Sequence, residues 1–232
     1  MPPPTDNDGI GRLSRRTTLV RAGGLAAVAI GASSLTAEAA ESGEQSALAC
    51  VLSPEMTEGP YYIDDMKVRR NITEGLAGAP LALRLSVLDA STCTPIKGAA
   101  VDIWHASAGG KYSGEAVNDA VGRTFLRGIQ RTDAKGLALF NTVYPGWYQG
   151  RTVHIHVMVH VGGDTVHTGQ LFFRDSFTDA VYKRAPYKSR GERDIRNAND
   201  SIYGSGGSRS LLAVRGVGKG YVGAISMGVR RS

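Results

Sequence analysis

The strongest constraint on the fold is a regular alternation of apolar and other residues in the segment Pro80–Leu88. Successive side chains of a β-strand point to opposite faces, so this pattern predicts a strand with one buried face. The turn-rich cluster Asp89–Pro95 follows and ends the predicted strand. The alternating apolar positions are Leu81, Leu83, Leu85 and Val87.

Other short segments follow the same pattern and predict a mainly β fold. Gly162-Gly163-Asp164 is a hairpin signal between two of them. Leu211–Val229 has strand character broken by glycines, whereas Arg174–Ser208 predicts irregular loops with room for one short helix. Short strands separated by Gly and Pro turns indicate a β-sandwich with long irregular loops. The other predicted strands are Ala99–Trp104, Leu137–Phe140, Thr152–His160 and Val166–Phe173.

The start of the chain is typical of an export signal. A small and apolar stretch, Leu19–Leu35, precedes the small-x-small sequence Ala37–Ala39 that signal peptidase reads. We expect residues 1–39 to be removed and residues 40–232 to form a single exported domain, periplasmic or extracellular. A retained helical anchor is the alternative, but the stretch is short for a stable membrane anchor. The basic residues before it, which resemble a twin-arginine signal, are Arg12, Arg15 and Arg16.

The charge is concentrated toward the end of the chain. From Lys183 onward, 11 Lys and Arg residues stand against 3 Asp and Glu, a net charge of 11 − 3 = +8. These charges are interleaved with Asp, Asn, Gly and Ser and do not form a basic run. The pattern therefore favours a solvated face or an attraction for anionic substrates, and we expect no nucleic-acid partner. Two cysteines, Cys50 and Cys93, predict a disulfide, since thiols of exported proteins usually pair.

A His-x-His pair gives the first chemical clue. His154 and His156 lie two residues apart on a predicted strand, so both imidazoles share one face. Neutral histidine is the commonest metal ligand, and such a pair forms half of a metal site. The alternative is a pair of histidines on a solvent-facing side of the strand.

Two tyrosines lie close to this pair in the sequence pattern. Tyr148 precedes His154 by six residues, and Tyr112 follows the predicted strand that ends at Trp104. Phenolate is a hard donor, and a bound cation lowers the pKa of a phenol far below its usual value of about 10. Two tyrosines with two histidines therefore suit Fe(III) better than Zn(II) or Fe(II). Each tyrosine alone could equally be a packed aromatic residue with a satisfied hydroxyl.

Four ordered motifs resemble the intradiol ring-cleavage dioxygenase family, in particular its small, exported, single-domain members. The motifs are Thr57–Tyr62, Val101–Ser113, Phe125–Asp133 and Pro145–His156. The resemblance implies a β-sandwich enzyme that uses Fe(3+) and O2 to cleave catechol-type diols to muconate-type dicarboxylates. It also implies the four iron ligands, which are Tyr112, Tyr148, His154 and His156.

The same resemblance implies roles for residues around the iron. Arg151 would bind the substrate and stabilise negative charge on its ring, and Gln170 would line the oxygen side of the pocket. Tyr148 would be the ligand that the catechol displaces. One wall of the substrate pocket would be formed by Gly59, Pro60 and Tyr61. Without the family, Arg151 could as well form an ordinary salt bridge at a strand edge.

Two other functions fit parts of the same sequence. Segments Pro95–Val101 and Thr132–Gly136 also resemble prealbumin-like modules, which are non-enzymatic β-sandwich binding domains. Fold alone does not separate such a module from an enzyme, whereas iron content does. A His-x-His zinc hydrolase is a third possibility, although no suitable carboxylate base lies near the motif.

Overall fold

The protein is described by a computed structural model, which covers residues 51–65 and 67–231. Within these residues the chain forms two four-stranded sheets, and this confirms the predicted β-sandwich. The predicted export signal, residues 1–39, lies outside the described residues. Cys50 lies outside them too, so the Cys50–Cys93 disulfide stays a prediction. No helix of the described residues is long and apolar enough to cross a membrane.

The first sheet combines antiparallel and parallel pairs. Its strand order is β4-β1-β8-β7, in which β1 runs antiparallel to β4 and parallel to β8. Strands from the beginning and the end of the domain therefore lie side by side. The strands are β1 (Pro80–Asp89), β4 (Leu137–Val143), β7 (Ala213–Val217) and β8 (Gly220–Val229).

The second sheet is wholly antiparallel, with the order β3-β2-β5-β6. Three of its strands were predicted from the alternating pattern. The fourth, β3, was not, although it lies inside the motif Phe125–Asp133. The strands are β2 (Ala100–Trp104), β3 (Arg127–Arg131), β5 (His154–Val161) and β6 (Asp164–Phe172).

The core lies between the two sheets and explains the alternation that opens the sequence. The four alternating residues of β1 are at most 1% exposed. They belong to one apolar cluster with Val101 and Ile103 of β2 and with Ile155 and Val157 of β5. Apolar area of this extent is the main stabilising contribution to such a fold. Because Ile155 and Val157 face inward, the residues between and before them face out of the sandwich.

Helical structure is short and lies mostly between β6 and β7. The predicted loop region carries α1 (Asp175–Tyr182) and a one-turn helix, α2 (Ser201–Gly204), so it contains one helix more than expected. Asp200 caps α2 by accepting hydrogen bonds from two backbone amides, a common N-cap arrangement. Single 3-10 turns are found at Ala116–Asn118, Tyr187–Arg190, Asn197–Asn199 and Gly207–Ser210.

Candidate metal centre

The two histidines of the His-x-His pair lie on the outer face of the second sheet. His154 and His156 belong to β5, which is paired on both sides. Trp104 of β2 is the cross-strand partner of His156, and Gln170 of β6 is its partner on the other side. Both histidines are nearly inaccessible to solvent. The alternative interpretation, in which the two histidines lie on a solvent-facing side of the strand, is therefore wrong.

The donor atoms of three predicted ligands converge at one point. The Nε2 atoms of His154 and His156 are 3.1 Å apart. The hydroxyl of Tyr148 lies 3.3 Å from Nε2 of His154. Tyr148 reaches this position because it pairs with Arg151 across a tight turn just before β5.

Tyr112 completes the cluster from a separate loop. Its ring packs edge-on against Tyr148, with centroids 5.5 Å apart, and faces His156 at 6.1 Å. The residue is 2% exposed, yet its hydroxyl has no hydrogen-bond partner of normal geometry among the described residues, although it interacts electrostatically with the hydroxyl of Tyr148. A buried hydroxyl without a partner carries an unfavourable desolvation cost of about 1–3 kcal/mol. Such an atom in a native fold calls for a functional explanation.

Burial sets the protonation of all four residues. Burial and the charge of Arg151 lower the pKa of His154 to about 3, and burial with the neighbouring His154 lowers the pKa of His156 well below its usual range. Both imidazoles are therefore neutral and keep a lone pair for a cation. Burial raises the pKa of Tyr112 and that of Tyr148 above 10. Without a cation both phenols keep their protons.

Hydrogen bonding fixes the orientation of one imidazole and stacking that of the other. Nδ1 of His154 donates to the carbonyl oxygen of Thr152 at 2.7 Å. Nε2 therefore carries no proton and has a lone pair available for a cation. A second hydrogen bond of this kind is a regular feature of metal-binding histidines. The ring of His156 stacks on Trp104, with centroids 4.9 Å apart and planes 6° from parallel.

Arg151 and Gln170 are in direct contact next to the histidines. Nη2 of Arg151 donates to Oε1 of Gln170 at 2.6 Å. The amide of Gln170 in turn donates to the carbonyl of Thr57 at 2.9 Å, and Gln170 is fully buried. These two hydrogen bonds connect the motif that contains Thr57 to the centre of the second sheet.

The predicted pocket wall lies against the candidate ligands at two of its three residues. A Cβ atom at Gly59 would lie 3.1 Å from Cε1 of His156. The ring of Tyr61 stacks on Tyr112, with centroids 4.4 Å apart. Pro60 lies between these two residues in the chain and is itself exposed.

Sequence reasoning missed Asp200, which organises one side of the centre. Its carboxylate accepts hydrogen bonds from Nε of Arg151 and from the backbone amide of Thr152, both at 2.8 Å. The side chain is 1% exposed. The same carboxylate caps α2. The only sequence signal for Asp200 was therefore an aspartate at the N-cap position of a short helix. Arg151 thus forms a salt bridge, as the alternative interpretation of the sequence predicted, and its partner is Asp200. It also contacts Gln170.

The donor set determines which cation the cluster suits. Among the described residues, no group of three or more His, Cys, Asp or Glu side chains could hold a metal ion. The cluster offers two imidazoles and two phenols, and phenol oxygens are hard donors that suit a trivalent cation.

Comparison with known proteins places the chain in a family. The family described as Dioxygenase matches residues 54–183. An intradiol ring-cleavage dioxygenase from Tetranychus urticae has 36% identity and a TM-score of 0.73, covering 78% of this chain and 95% of that one. The chain therefore belongs to the intradiol ring-cleavage dioxygenases, as the four motifs predicted.

Two further relatives show how the match is distributed. The dioxygenase domain of a dioxygenase carbohydrate-binding protein fusion from the cellulolytic bacterium Streptomyces sp. SirexAA-E has 30% identity and a TM-score of 0.61, covering 78% of this chain and all of that one (100%). A chlorocatechol 1,2-dioxygenase of a Pseudomonas species is 28% identical over 137 residues, 50% of this chain and 53% of the relative. The chain thus spans about half the length of that curated relative.

Proposed function

We propose that this protein is a non-haem Fe(III) dioxygenase that cleaves catechol-type diols between their two hydroxyls, using O2, to muconate-type dicarboxylates. The observation that carries the proposal is the clustering of two buried imidazoles with the phenol rings of two tyrosines. The residues that would hold the iron are Tyr112, Tyr148, His154 and His156.

The residues fit Fe(III) on grounds that are independent of the family. The buried hydroxyl of Tyr112 has no hydrogen-bond partner of normal geometry among the described residues, and a cation would provide one. The histidines are neutral and present Nε2 to the same point. Two phenols can lose their protons to become anionic ligands, which offsets the charge of a trivalent cation better than that of a divalent one.

When bound, the iron would supply Lewis-acid chemistry for the catechol and would lower the pKa of the phenols that hold it. The two tyrosines differ in access: Tyr112 is sealed in, whereas Tyr148 is only half-buried. Tyr148 is therefore the tyrosine with room to swing away. Its phenolate oxygen then takes one proton from the arriving catechol.

Arg151 supplies positive charge on the substrate side. Its guanidinium is held at two points, by Asp200 through Nε and by Gln170 through Nη2. A cation fixed before the reaction stabilises negative charge that develops on the ring without reorganisation of solvent, a contribution of a few kcal/mol to a barrier. Gln170 fixes the guanidinium from the oxygen side of the pocket.

Aromatic side chains exclude water from this reaction. Tyr61 stacks on Tyr112, and Tyr62 packs against Trp104 with centroids 4.8 Å apart. Together with Met158 they form a small apolar cluster on the outer face of the sheet. Polar interactions inside such a shell are stronger than in water.

We further propose that the enzyme is exported, by the twin-arginine route, as a single domain that begins near residue 40. Support comes from the basic start, the apolar stretch and the small-residue cleavage signal. In an oxidising compartment Cys50 and Cys93 would pair. Mass spectrometry of the secreted, non-reduced protein tests the cleavage site and the disulfide together.

The test of function is product analysis on protein loaded with iron. We expect about one iron per chain, a burgundy colour from tyrosine-to-iron charge transfer, and oxygen uptake with catechol that yields a muconate. Tyr148→Phe should change the colour and lower oxygen uptake by about a hundredfold or more, whereas Tyr221→Phe, remote from the centre, should change neither. An aldehyde product of extradiol cleavage would contradict the regiochemistry. A chain that takes up no iron would instead support the non-enzymatic binding module.

A further inference from the structure

A second feature lies on the opposite side of the sandwich, on the outer face of the first sheet. Three adjoining cavities of about 520, 580 and 360 Å³ lie along β7 and β8. All three are lined by Ala213 and Ala224, which are cross-strand partners. They therefore form one continuous depression, which we call the arginine trough.

Cationic side chains surround the arginine trough. Arg84 projects outward from β1 because its neighbours Leu83 and Leu85 point into the core. Arg215 projects from β7 on the far side of β8. With one strand between them, their Cα atoms are about 12 Å apart by strand spacing. The cations that line the three cavities are Arg84, Lys135, Arg174, Arg209 and Arg215.

Carboxylates are sparse around these charges in the described part of the chain, although Asp133 interacts with Lys135. Among its residues, neither Asp nor Glu lines any of the three cavities. The seven salt bridges between described residues also leave out all five cations. Such a single-sign depression attracts an anion and concentrates it at the surface.

Two small residues shared by the three cavities leave room in the trough, beside larger apolar residues such as Leu211, Val222 and Ile225. Ala213 and Ala224 have no bulk to fill the depression, and Ser226 at its end adds a hydroxyl. A flat, narrow chain can therefore approach the sheet closely while arginines reach it from both sides. Arginine binds carboxylates through two parallel hydrogen bonds, which makes it the residue of choice for this anion.

Three other occupants fit less well. A second copy of the chain would bring five like charges against five others in a two-fold contact, which is unfavourable. A membrane surface is flat, whereas the cations here rim a depression. Single-stranded nucleic acid needs exposed aromatic platforms for its bases. The one aromatic residue among the described lining residues is Phe177, and it is half-buried.

From these observations we infer that the arginine trough is an accessory binding surface for an extended acidic polysaccharide, one that carries a carboxylate on successive sugars. The trough is formed by the first sheet and the candidate metal centre by the second, on opposite outer faces. Binding there would hold the protein on a polymer while leaving the reaction site open. The inference does not depend on the proposed function, because no residue of the trough belongs to the metal centre.

The test measures binding of the full chain to immobilised polygalacturonate. We expect saturable binding that weakens by about tenfold or more when salt rises from low to physiological levels, as for other contacts between exposed charges. Arg84→Glu combined with Arg215→Glu should weaken binding by about tenfold or more. Both residues are exposed, so the variant should keep its melting temperature and its oxygen uptake with catechol.

The matched control changes the same net charge elsewhere. Arg70→Glu combined with Arg123→Glu alters two exposed arginines outside the trough, and binding should stay within about twofold of the parent protein. Equal loss in both double variants would overturn the inference, because it would show a general charge effect. Equal binding to neutral dextran, or tighter binding to DNA than to polygalacturonate, would overturn it as well.

Discussion

Gly59 and His156 are in such close contact that a single methyl group cannot be added between them without movement. A Cβ atom at Gly59 would lie 3.1 Å from Cε1 of the histidine, and Gly59 has a φ of +74°. We expect Gly59→Ala to displace the imidazole from its stack on Trp104. Iron affinity and oxygen uptake should both fall by about tenfold or more, because the imidazole of a proposed iron ligand is displaced. Equilibrium iron binding and oxygen consumption measure the effect.

The chain provides a matched control for this prediction at Gly75. Gly75 has a similar φ of +77°, but an added Cβ atom would meet nothing within 4 Å. Gly75→Ala should therefore cost about 1–2 kcal/mol of stability from backbone strain alone and leave iron binding unchanged. If both variants lose iron to the same extent, strain and not contact with His156 is responsible.

Tyr112→Phe should stabilise the metal-free protein while weakening the proposed binding of iron. The substitution removes a buried hydroxyl that has no hydrogen-bond partner of normal geometry among the described residues. We expect the free energy of unfolding of the iron-free form to rise by about 1–3 kcal/mol. The variant should bind iron far more weakly and lose the burgundy colour. Denaturant unfolding of both iron-free proteins tests the first part, and a destabilised variant would contradict the assigned role of this hydroxyl.

Asp200→Asn should loosen Arg151 and destabilise the protein. The change removes the charge that partners Arg151 at 2.8 Å. Breaking a buried ion pair from one side typically costs about 3–5 kcal/mol. Oxygen uptake should fall more through kcat than through KM, since the arginine acts on charge that develops during the reaction. Asp119→Asn is the control, because Asp119 is exposed and takes part in none of the salt bridges between described residues, so the change should cost below about 1 kcal/mol.

The effect of Asp200 should also depend on pH. Burial raises the pKa of Asp200, but hydrogen bonds from Arg151 and from the amides of Tyr203 and Thr152 outweigh it and bring the pKa below its usual value. Its stabilising contribution is therefore present above about pH 4 and is lost as the pH falls through the pKa of the folded state. Acid unfolding of the parent protein and Asp200→Asn should converge at low pH. A constant difference would contradict the ion pair.

Asp102 should have the opposite dependence on pH. Burial, followed by the nearby charge of Asp65, raises the pKa of Asp102 to about 7. Between about pH 4 and pH 7 the folded protein holds a proton that the unfolded chain has released, so the free energy of unfolding falls as the pH rises. Asp102→Asn should therefore gain a few kcal/mol relative to the parent at about pH 8, but little at about pH 4.

Thermal unfolding at these two pH values measures the effect of Asp102. A gain for Asp102→Asn that does not change with pH would mean that its carboxyl group titrates normally.

The parts of the fold that the sequence predicted are those controlled by local periodicity. The apolar residues of β1 alternate along the strand, so they share one face, and that face is buried. The same period of two places His154 and His156 on one face of β5. Strand β3 escaped prediction because its Arg127 is buried, with its guanidinium hydrogen-bonded to the side chain and carbonyl of Ser113. A charged residue satisfied by a partner distant in the chain has no signature in a periodicity pattern.

The residues of the candidate site also fall into two groups: those that a local sequence pattern predicts and those that depend on contacts between distant parts of the chain. Tyr112 was assigned through resemblance to a family, because nothing local links a loop after β2 to the histidines on β5. Asp200 was missed because it lies 49 positions from Arg151 in the chain, inside a segment that predicts only loops. Pairing of β1 with β8 also joins distant parts of the chain, and such contacts depend on the whole fold.

The pairing of β5 on both edges has a consequence for how the centre acquires its ion. Hydrogen bonds to β2 and β6 hold the backbone of both histidines in place, and Thr152 fixes one imidazole. If the proposed iron binds here, the groups that hold it are thus arranged by the sandwich itself before the ion arrives. We expect iron to be withdrawn by a chelator and restored to the folded protein repeatedly, with no unfolding between cycles.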